Sequence, residues 1–176
     1  MGTNAAACQQ FQAKVELSQG DVVAARASLE RSDAVFAAAG ERPQRSTTQA
    51  ILARTHELLR AHDSARLALG LAEELSAPED AINFAITHGV RAQLSLAEGD
   101  TAAAERWSRS GVERALRTDF PGLQAEAMLE LARVLVNRGR QGEAAAEAHR
   151  ALALFRAKGD RPGTSIAQAV LKELNH

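Results

Sequence analysis

Hydrophobic and polar positions follow a helical period along the whole chain, with apolar residues three or four positions apart and charged residues between them. No segment alternates apolar and polar residues in the way that a half-exposed strand would. The four prolines leave long stretches unbroken, and Ala, the best helix former, is the commonest residue. The sequence therefore predicts an all-α fold.

One helix–loop–helix phrase occurs twice, at residues 36–52 and again at 155–171, which is 119 positions later. Eight of its 17 positions are identical without a gap, and in the first copy they are Phe36, Gly40, Arg42, Pro43, Ser46, Gln49, Ala50 and Leu52. Gly40 and Gly159 suit the left-handed position that follows a helix. We interpret Ser46 with Gln49, and Ser165 with Gln168, as capping boxes that open the next helix after each Pro.

A second signal recurs inside each helix pair, at a tight turn that often reads Gly-Asp. Aligning Gly20, His62, Gly99 and Gly139 gives spacings of 42, 37 and 40 residues, which again total 119. A small residue stands seven positions before each anchor, namely Ala13, Thr55, Ala92 and Ala132. In such a turn the Gly ends the first helix and the Asp caps the second. Two independent signals therefore favour one register.

This register predicts helix pairs at about 5–38, 46–77, 79–118 and 122–158, then a single helix at 165–175, within one domain of residues 1–176. Ser76 and Glu79 form a further predicted capping box, with Pro78 in its first turn. One helix pair cannot bury its own apolar face, so the pairs are expected to stack. The last helix is predicted to cap the stack with polar side chains, which are Lys172, Glu173, Asn175 and His176.

The turn pattern resembles the tetratricopeptide repeat over nearly the whole chain, because an Ala also follows the Gly by five residues at Ala25, Ala104 and Ala144. The resemblance implies a right-handed α-solenoid of about four helix pairs plus a capping helix. The long units and their "F-x-A-x-G-[DE]-R" joints resemble the arrays of bacterial signalling proteins, including LuxR-type and AfsR-like transcription regulators. HEAT-like pairs, with repeats of roughly 40–47 residues, are the structural alternative.

Composition narrows the classes of function. The net charge of −1 lacks the strongly basic footprint of a nucleic-acid-binding protein, so direct nucleic-acid binding is not expected. Cys8 is the only cysteine, which excludes a disulfide framework, and we expect it to be a small buried residue. No apolar run approaches the ~18 residues of a membrane span, and the start is unlike a signal peptide. The expected location is the cytoplasm.

Candidate catalytic chemistry is sparse. None of the five histidines pairs with another His or a Cys at metal-ligand spacing, these being His56, His62, His88, His149 and His176. No nucleophile-elbow motif occurs. The sequence therefore predicts no catalytic residue, no metal site and no cofactor. A set of arginines follows one helix face with Glu105 and Glu113 between them, and we predict a solvated outer face there: Arg106, Arg109, Arg114 and Arg117. Trp107 is predicted to pack between helices.

The resemblance also implies a binding surface, because the first helix of each tetratricopeptide pair lines the concave side of the array. In this register one lining column is Lys14, His56, Gln93 and Arg133. Flanking positions add Gln10, Gln49, Arg60 and Asn137. These eight residues are polar and mildly basic and include no carboxylate. A segment bound there is predicted to be acidic or to end in a carboxylate.

The predicted function is a non-enzymatic protein–protein interaction or scaffold module within a bacterial cytoplasmic signalling or transcription regulator. The alternative is a sensor domain that binds a peptide or small effector in its concave groove. The sequence makes no prediction for the oligomeric state.

Overall fold

The computed structural model describes residues 2–174, and within that range the chain forms α-helices with no strand. The helices are α1 (Thr3–Ser18), α2 (Val22–Ala39), α3 (Arg42–Leu58), α4 (His62–Leu75), α5 (Ala81–Ala97), α6 (Thr101–Ala115), α7 (Pro121–Asn137), α8 (Gln141–Lys158) and α9 (Arg161–Leu174). The all-α prediction is confirmed. None of these helices combines the length and apolarity that crossing a bilayer requires.

The described residues form two compact units, one up to Val90 and one from Arg91 onward, so that α5 crosses the boundary. In the first unit α1 packs against α2, α2 against α3, and α3 against α4. In the second unit α6 packs against α7, α7 against α8, and α9 against both α7 and α8. Apart from the contact between α7 and α9, these contacts join helices that are neighbours in sequence within each unit, as expected of helix pairs. The single-domain organisation stays a prediction.

Left-handed backbone ends the helices at the glycines that the sequence indicated. The φ angles are 82° at Gly20, 69° at Gly40, 83° at Gly99, 70° at Gly139 and 73° at Gly159. Glycine adopts this conformation without the steric cost that a Cβ brings. The Gly-Asp turns also cap the following helix as predicted, because the Asp21 and Asp100 carboxylates accept hydrogen bonds from backbone N–H groups three residues later.

The predicted capping boxes at the two joints are wrong. Helix α3 begins at Arg42 and α9 at Arg161, so Ser46 and Ser165 lie a full turn inside their helices. The cause is the proline, which is tolerated within the first turn of a helix because the N–H it lacks would have no partner there. At the second joint the Asp160 carboxylate accepts from the Gly163 N–H at 2.9 Å instead.

The third predicted capping box, Ser76 with Glu79, is also wrong. Ser76 is the residue that ends α4, and its hydroxyl donates to the Ala72 carbonyl at 2.8 Å. The cap of α5 is Asp80, whose carboxylate accepts from the Asn83 N–H at 3.0 Å. Pro78 consequently lies in the connection between the two helices and not in a first turn.

The second anchor of the repeat register is Arg60 and not His62. Arg60 has a φ of 58° and is the only non-glycine residue with positive φ among residues 2–174. His62 is already the first residue of α4. The left-handed residues are Gly20, Arg60, Gly99 and Gly139, with spacings of 40, 39 and 40 residues. The repeat is therefore more regular than the sequence alignment suggested.

With the corrected register, alanine occupies the same two repeat positions in all four helix pairs. Seven positions before each anchor stand Ala13, Ala53, Ala92 and Ala132, all fully buried. Five positions after each anchor stand Ala25, Ala65, Ala104 and Ala144, also fully buried. A small side chain lets two helix axes approach closely, and this explains why the same residue recurs on both helices of each pair.

The two termini of the fold differ from each other. The exposed surface of α9 is mostly polar and includes Lys172 and Glu173, whereas Asn175 and His176 of the predicted cap lie outside the described residues. At the other end Cys8 is exposed, so the prediction that it is buried is wrong. The physical reason is that Cys8 lies on a side of α1 that no described residue covers.

Candidate functional site

Four of the eight residues predicted to line a groove are exposed, namely Lys14, Arg60, Arg133 and Asn137. Gln10, His56 and Gln93 are half-buried, and Gln49 is buried with 8% of its surface exposed. Three of the four exposed residues are positively charged, so the surface available to a partner is mainly basic. Whether they form one surface stays a prediction.

Gln10 belongs to the packing of α1 on α3 and not to an open surface. Its amide nitrogen donates to the Thr48 hydroxyl at 2.9 Å, and Thr48 is fully buried. The Thr48 hydroxyl cannot reach water, so the Gln10 amide supplies a hydrogen-bond donor to its oxygen. We therefore assign Gln10 a structural role.

Lys14 and Arg133 are free to meet a charged ligand. Lys14 is exposed, and its ammonium lies 5.5 Å from the centre of the Phe11 ring in a cation–π contact. Arg133 is exposed on α7, and its carbonyl oxygen accepts from the Asn137 amide at 2.9 Å. In the corrected register these two residues occupy the same repeat position, together with Gln93 and Arg54.

Arg54 is not among the predicted site residues, because the predicted register places His56 at this repeat position. The signal that could have found it was present, since Ala53 and Ala65 match the alanine columns that Thr55 and Leu67 break. Arg54 is half-buried on α3. The corrected column contains three bases and one glutamine, so it is more basic than the predicted one.

Gln49 and His56 line an open groove of about 460 Å³ between α2, α3 and α4 in the first unit. Leu52 lies between them on α3, while α4 contributes Leu67, which is 77% exposed. Helix α2 contributes Glu30 and Asp33, and the Asp33 carboxylate accepts from Arg45 Nε at 3.2 Å. Two carboxylates therefore lie beside Gln49 and His56, although the predicted lining residues include no acidic side chain.

Burial lowers the pKa of His56, and the positive charge of Arg26 lowers it further. The negative charge of Glu30 opposes both effects but does not cancel them. His56 Nδ1 is buried without a hydrogen-bond partner among the described residues. His56 therefore contributes a neutral imidazole to the wall of the groove, with its Nδ1 turned away from the opening.

The titration of His56 is a testable consequence. The folded pKa lies below the ordinary value of 6.5, so the unfolded chain binds the proton more tightly. Stability contributed by His56 is therefore complete above pH 6.5 and falls as the pH drops towards the folded pKa. We expect Glu30→Gln to lower the His56 pKa still further, as measured from its ring protons by NMR. Glu113→Gln, on an exposed site of α6, is the control, and an unchanged or raised pKa in Glu30→Gln would contradict this electrostatic account.

The predicted arginine face of α6 is only partly solvated. Arg106 and Arg117 are exposed, but Arg109 Nη2 lies 2.8 Å from Glu105 Oε1 and 3.3 Å from Glu143 Oε2. Arg138 Nε lies 2.9 Å from Glu105 Oε2, and Arg140 pairs with both carboxylates. This network ties α6 to the turn between α7 and α8.

Partial burial on its own would raise the pKa of the Glu105 carboxyl, but hydrogen bonds from Arg109 and Arg140 lower it below its usual range. Glu105 is therefore an ionised structural group. Trp107, on the same helix, packs against Ala92, Ala104 and Val134 of α5, α6 and α7, which confirms that it lies between helices. In the part of the chain that the structure describes, no group of three or more His, Cys, Asp or Glu residues could hold a metal ion.

Comparisons with known proteins inform the fold. No family model matches the chain, and no curated protein matches its sequence. Among solved structures, the crystal structure of BtubC (BKLC) from P. vanneervenii is similar, with a TM-score of 0.60 and 17% sequence identity. The match covers 88% of this chain and 65% of the other, so the chain spans about two thirds of that protein's length. This chain thus has the same kind of helical fold as that part of BtubC.

Proposed function

We propose that the chain is a non-enzymatic protein–protein interaction or scaffold module, built as a right-handed α-solenoid of four tetratricopeptide-like helix pairs with a capping helix. The observation that carries the proposal is the series of left-handed turn residues 40, 39 and 40 positions apart, each with a buried Ala before and after it. Stacked helix pairs hold equivalent side chains from successive repeats in a row, which suits the recognition of an extended partner.

The repeat position shared by Lys14, Arg54, Gln93 and Arg133 is the proposed contact surface. Its exposed bases favour a partner segment that is acidic or ends in a carboxylate. Charges on such a surface accelerate encounter and select the sign of the partner more than they set affinity. Following the resemblance of its joints to those of bacterial regulator arrays, we propose that the module works in the cytoplasm as part of a signalling or transcription regulator.

A charge-reversal experiment tests this proposal. The full chain is used to capture a partner, and binding is then titrated with the wild type and with a Lys14→Glu/Arg133→Glu variant at two salt concentrations. We expect the Kd of the variant to rise about tenfold or more, mainly through slower association, with less difference at high salt. Helix content should not change, because exposed substitutions cost the fold little.

The matched control reverses Arg106 on α6 and Arg117 in the turn that follows α6, both of which are exposed. Arg109 is unsuitable, because its reversal would break the ion pairs with Glu105 and Glu143. If the Arg106→Glu/Arg117→Glu variant loses binding and the Lys14→Glu/Arg133→Glu variant retains it, the partner binds elsewhere and the proposed contact surface is wrong.

A sensor domain is the second candidate function, and the groove of α2, α3 and α4 favours it. The groove offers apolar Leu52 and Leu67 beside His56, whose buried nitrogen is unsatisfied. A peptide or small effector with an apolar body would suit it. A ligand that binds only the folded state raises the melting temperature, and the rise grows with the logarithm of the ligand concentration above the Kd. A metabolite or peptide that shifts the wild type but not His56→Ala would support this function.

A further inference from the structure

The groove of α2, α3 and α4 has an equivalent region in the second unit. The left-handed residues of the first unit, Gly20 and Arg60, each lie 79 positions before those of the second, Gly99 and Gly139. Residues 79 positions apart therefore occupy equivalent repeat positions, and α6, α7 and α8 correspond to α2, α3 and α4. Features that the two units share belong to the repeat, and features that differ belong to the groove itself.

In the second unit an ion pair connects the two helices that correspond to the sides of the groove. Arg109 Nη2 of α6 lies 3.3 Å from Glu143 Oε2 of α8. The equivalent residues of the first unit are Glu30 of α2 and Ser64 of α4, and both of them line the groove. The first unit therefore has a carboxylate and a neutral hydroxyl where the second unit has an ion pair, so no positive charge connects these two positions.

Glu30 is the carboxylate that is available to a ligand. Its side chain is 55% exposed, and the 3.6 Å from its Oε1 to Arg26 Nε is longer than a hydrogen bond. An exposed ion pair of this kind contributes little. Asp33 is less available, because its side chain is 17% exposed and Arg45 Nε lies 3.2 Å from its carboxylate. The described residues that line the groove include these two acids and no Lys or Arg.

Two leucines form an apolar ridge on the α4 side of the groove. Leu67 is 77% exposed, and the half-buried Leu71 follows it by about one helical turn. The other three helix pairs have small or polar residues at these two positions, namely Ala27, Arg106 and Ala146 at the first, and Arg31, Ser110 and Arg150 at the second. A leucine that stays exposed contributes little to the fold, but it contributes to binding when a partner covers it.

The acid and the leucine ridge follow each other along the groove. A short turn joins α3 to α4, so Ser64 lies at the same end of the groove as His56, and Glu30 lies close enough to His56 for their charges to interact. From Ser64, Leu67 and Leu71 are about 4.5 and 10 Å further along α4. A ligand that reaches both features needs a cation and an aliphatic group separated by a similar length, which two or three residues of extended peptide provide.

We propose that the groove binds a basic segment of a partner protein, in which a Lys or Arg pairs with Glu30 and a neighbouring large aliphatic side chain covers Leu67 and Leu71. The proposal rests on the sensor function proposed above for the same groove and names its ligand. The negative charge of the lining favours a basic segment and rejects an acidic one. The groove is therefore selective for the opposite sign of charge from the basic contact surface proposed above.

Titration of a short peptide, followed by NMR, tests this binding site. The probe is acetyl-Arg-Ala-Leu-Ala-Leu amide, in which the Arg and both Leu lie on one side of an extended chain. We expect saturable shifts of the Leu67 and Leu71 methyl signals at millimolar peptide, with weaker binding at high salt. A peptide with Glu in place of Arg, or with Ser in place of both Leu, should bind about tenfold or more weakly.

A variant that copies the second unit closes the groove without disturbing the repeat. It combines Arg26→Glu, Glu30→Arg and Ser64→Glu. The new side chains are those of the equivalent residues in the second unit, which are Glu105, Arg109 and Glu143. We expect this closed variant to have an unchanged or higher melting temperature and to bind the probe about tenfold or more weakly, because its own arginine replaces the cation of the ligand.

A single substitution serves if the closed variant does not fold. Leu67→Ala introduces the residue of two other helix pairs and should weaken binding of the probe about threefold or more. Val23→Ala is the matched control, because Val23 is 59% exposed on α2 and does not line the groove. Unchanged binding in Leu67→Ala, or equal binding of the Arg and Glu peptides to the wild type, would overturn the proposal.

Further outcomes identify a different occupant. Equal affinity for hexylamine and for the probe would overturn the choice of a protein segment. A dimer in sedimentation that the closed variant abolishes would overturn the choice of another protein, because a second copy would then fill the groove. An uncharged peptide or metabolite that raises the melting temperature of the wild type but not of the closed variant would retain the sensor function and overturn the basic ligand, so the two proposals fail separately.

Discussion

Truncation after Gly159, which removes α9, is expected to cause aggregation or a large fall in melting temperature. Helix α9 buries Ala167 and Val170 and covers Phe155 of α8, which is 3% exposed. The loss is roughly 3 kcal/mol or more, since burying one large apolar side chain contributes about 1.5–3 kcal/mol. The terminal helix of a stacked array also keeps the apolar face beneath it from water. Light scattering and thermal denaturation of the truncated and full chains measure the effect.

A point substitution at the contact between α9 and α8 distinguishes the role of α9 from a general failure of the truncated chain to fold. A Cβ at Gly163 would overlap the ring of Phe155, so Gly163→Ala is expected to destabilise the chain by about 1–3 kcal/mol. Gly70→Ala is the matched control, because Gly70 lies in α4 with open space around it. This substitution should stabilise the folded chain by about 0.5–1 kcal/mol. A truncated chain that stays monomeric with an unchanged melting temperature would show that α9 does not cap the fold.

Ala132→Leu is expected to lower the free energy of unfolding by about 1–3 kcal/mol, through overpacking. Ala132 is fully buried on α7, in the column of alanines that precedes each turn by seven residues. Three additional carbon atoms at this position would push α7 away from a neighbouring helix. Chemical denaturation, with the midpoint and slope measured together, gives the change.

Ala146→Leu on α8 is the matched control, because Ala146 is exposed and Leu is nearly as good a helix former as Ala. We expect its denaturation midpoint to stay within error of the wild type. If Ala132→Leu also leaves the midpoint unchanged, the alanine column does not mark close helix packing and the register of the fourth helix pair is wrong.

Much of the fold could be predicted from the sequence, because its main signals are local. A Gly such as Gly40 or Gly159 is needed where the backbone turns left-handed, and an Asp such as Asp21 caps the next helix through its own side chain. These requirements act within a few residues, so one sequence displays them directly. The burial of Phe36 and Phe155 follows from the same helical period.

Some features could not be predicted because they depend on residues that are distant in the sequence. Others depend on a backbone conformation that usually requires Gly but is occasionally adopted by another residue. Arg60 adopts a left-handed conformation that usually requires Gly, so its sequence did not mark it as the second anchor, and His62 was predicted instead. The position of Glu30 beside His56 depends on how α2 packs on α3. Buried polar pairs are equally non-local, as in the 2.8 Å bond from the Asn83 amide to Ser46. Helical periodicity cannot specify such pairs, because it describes one helix at a time.

The proposed contact surface depends on the repeat register, and replacement of Arg60 tests that register most directly. A left-handed residue with a Cβ carries a strain of roughly 1–2 kcal/mol that Gly avoids. We therefore predict that Arg60→Gly raises the free energy of unfolding by about 1 kcal/mol, despite the greater flexibility of Gly in the unfolded chain. His62→Gly, at the first residue of α4, should lower it. Stabilisation by His62→Gly together with destabilisation by Arg60→Gly would contradict the register and the binding surface built on it.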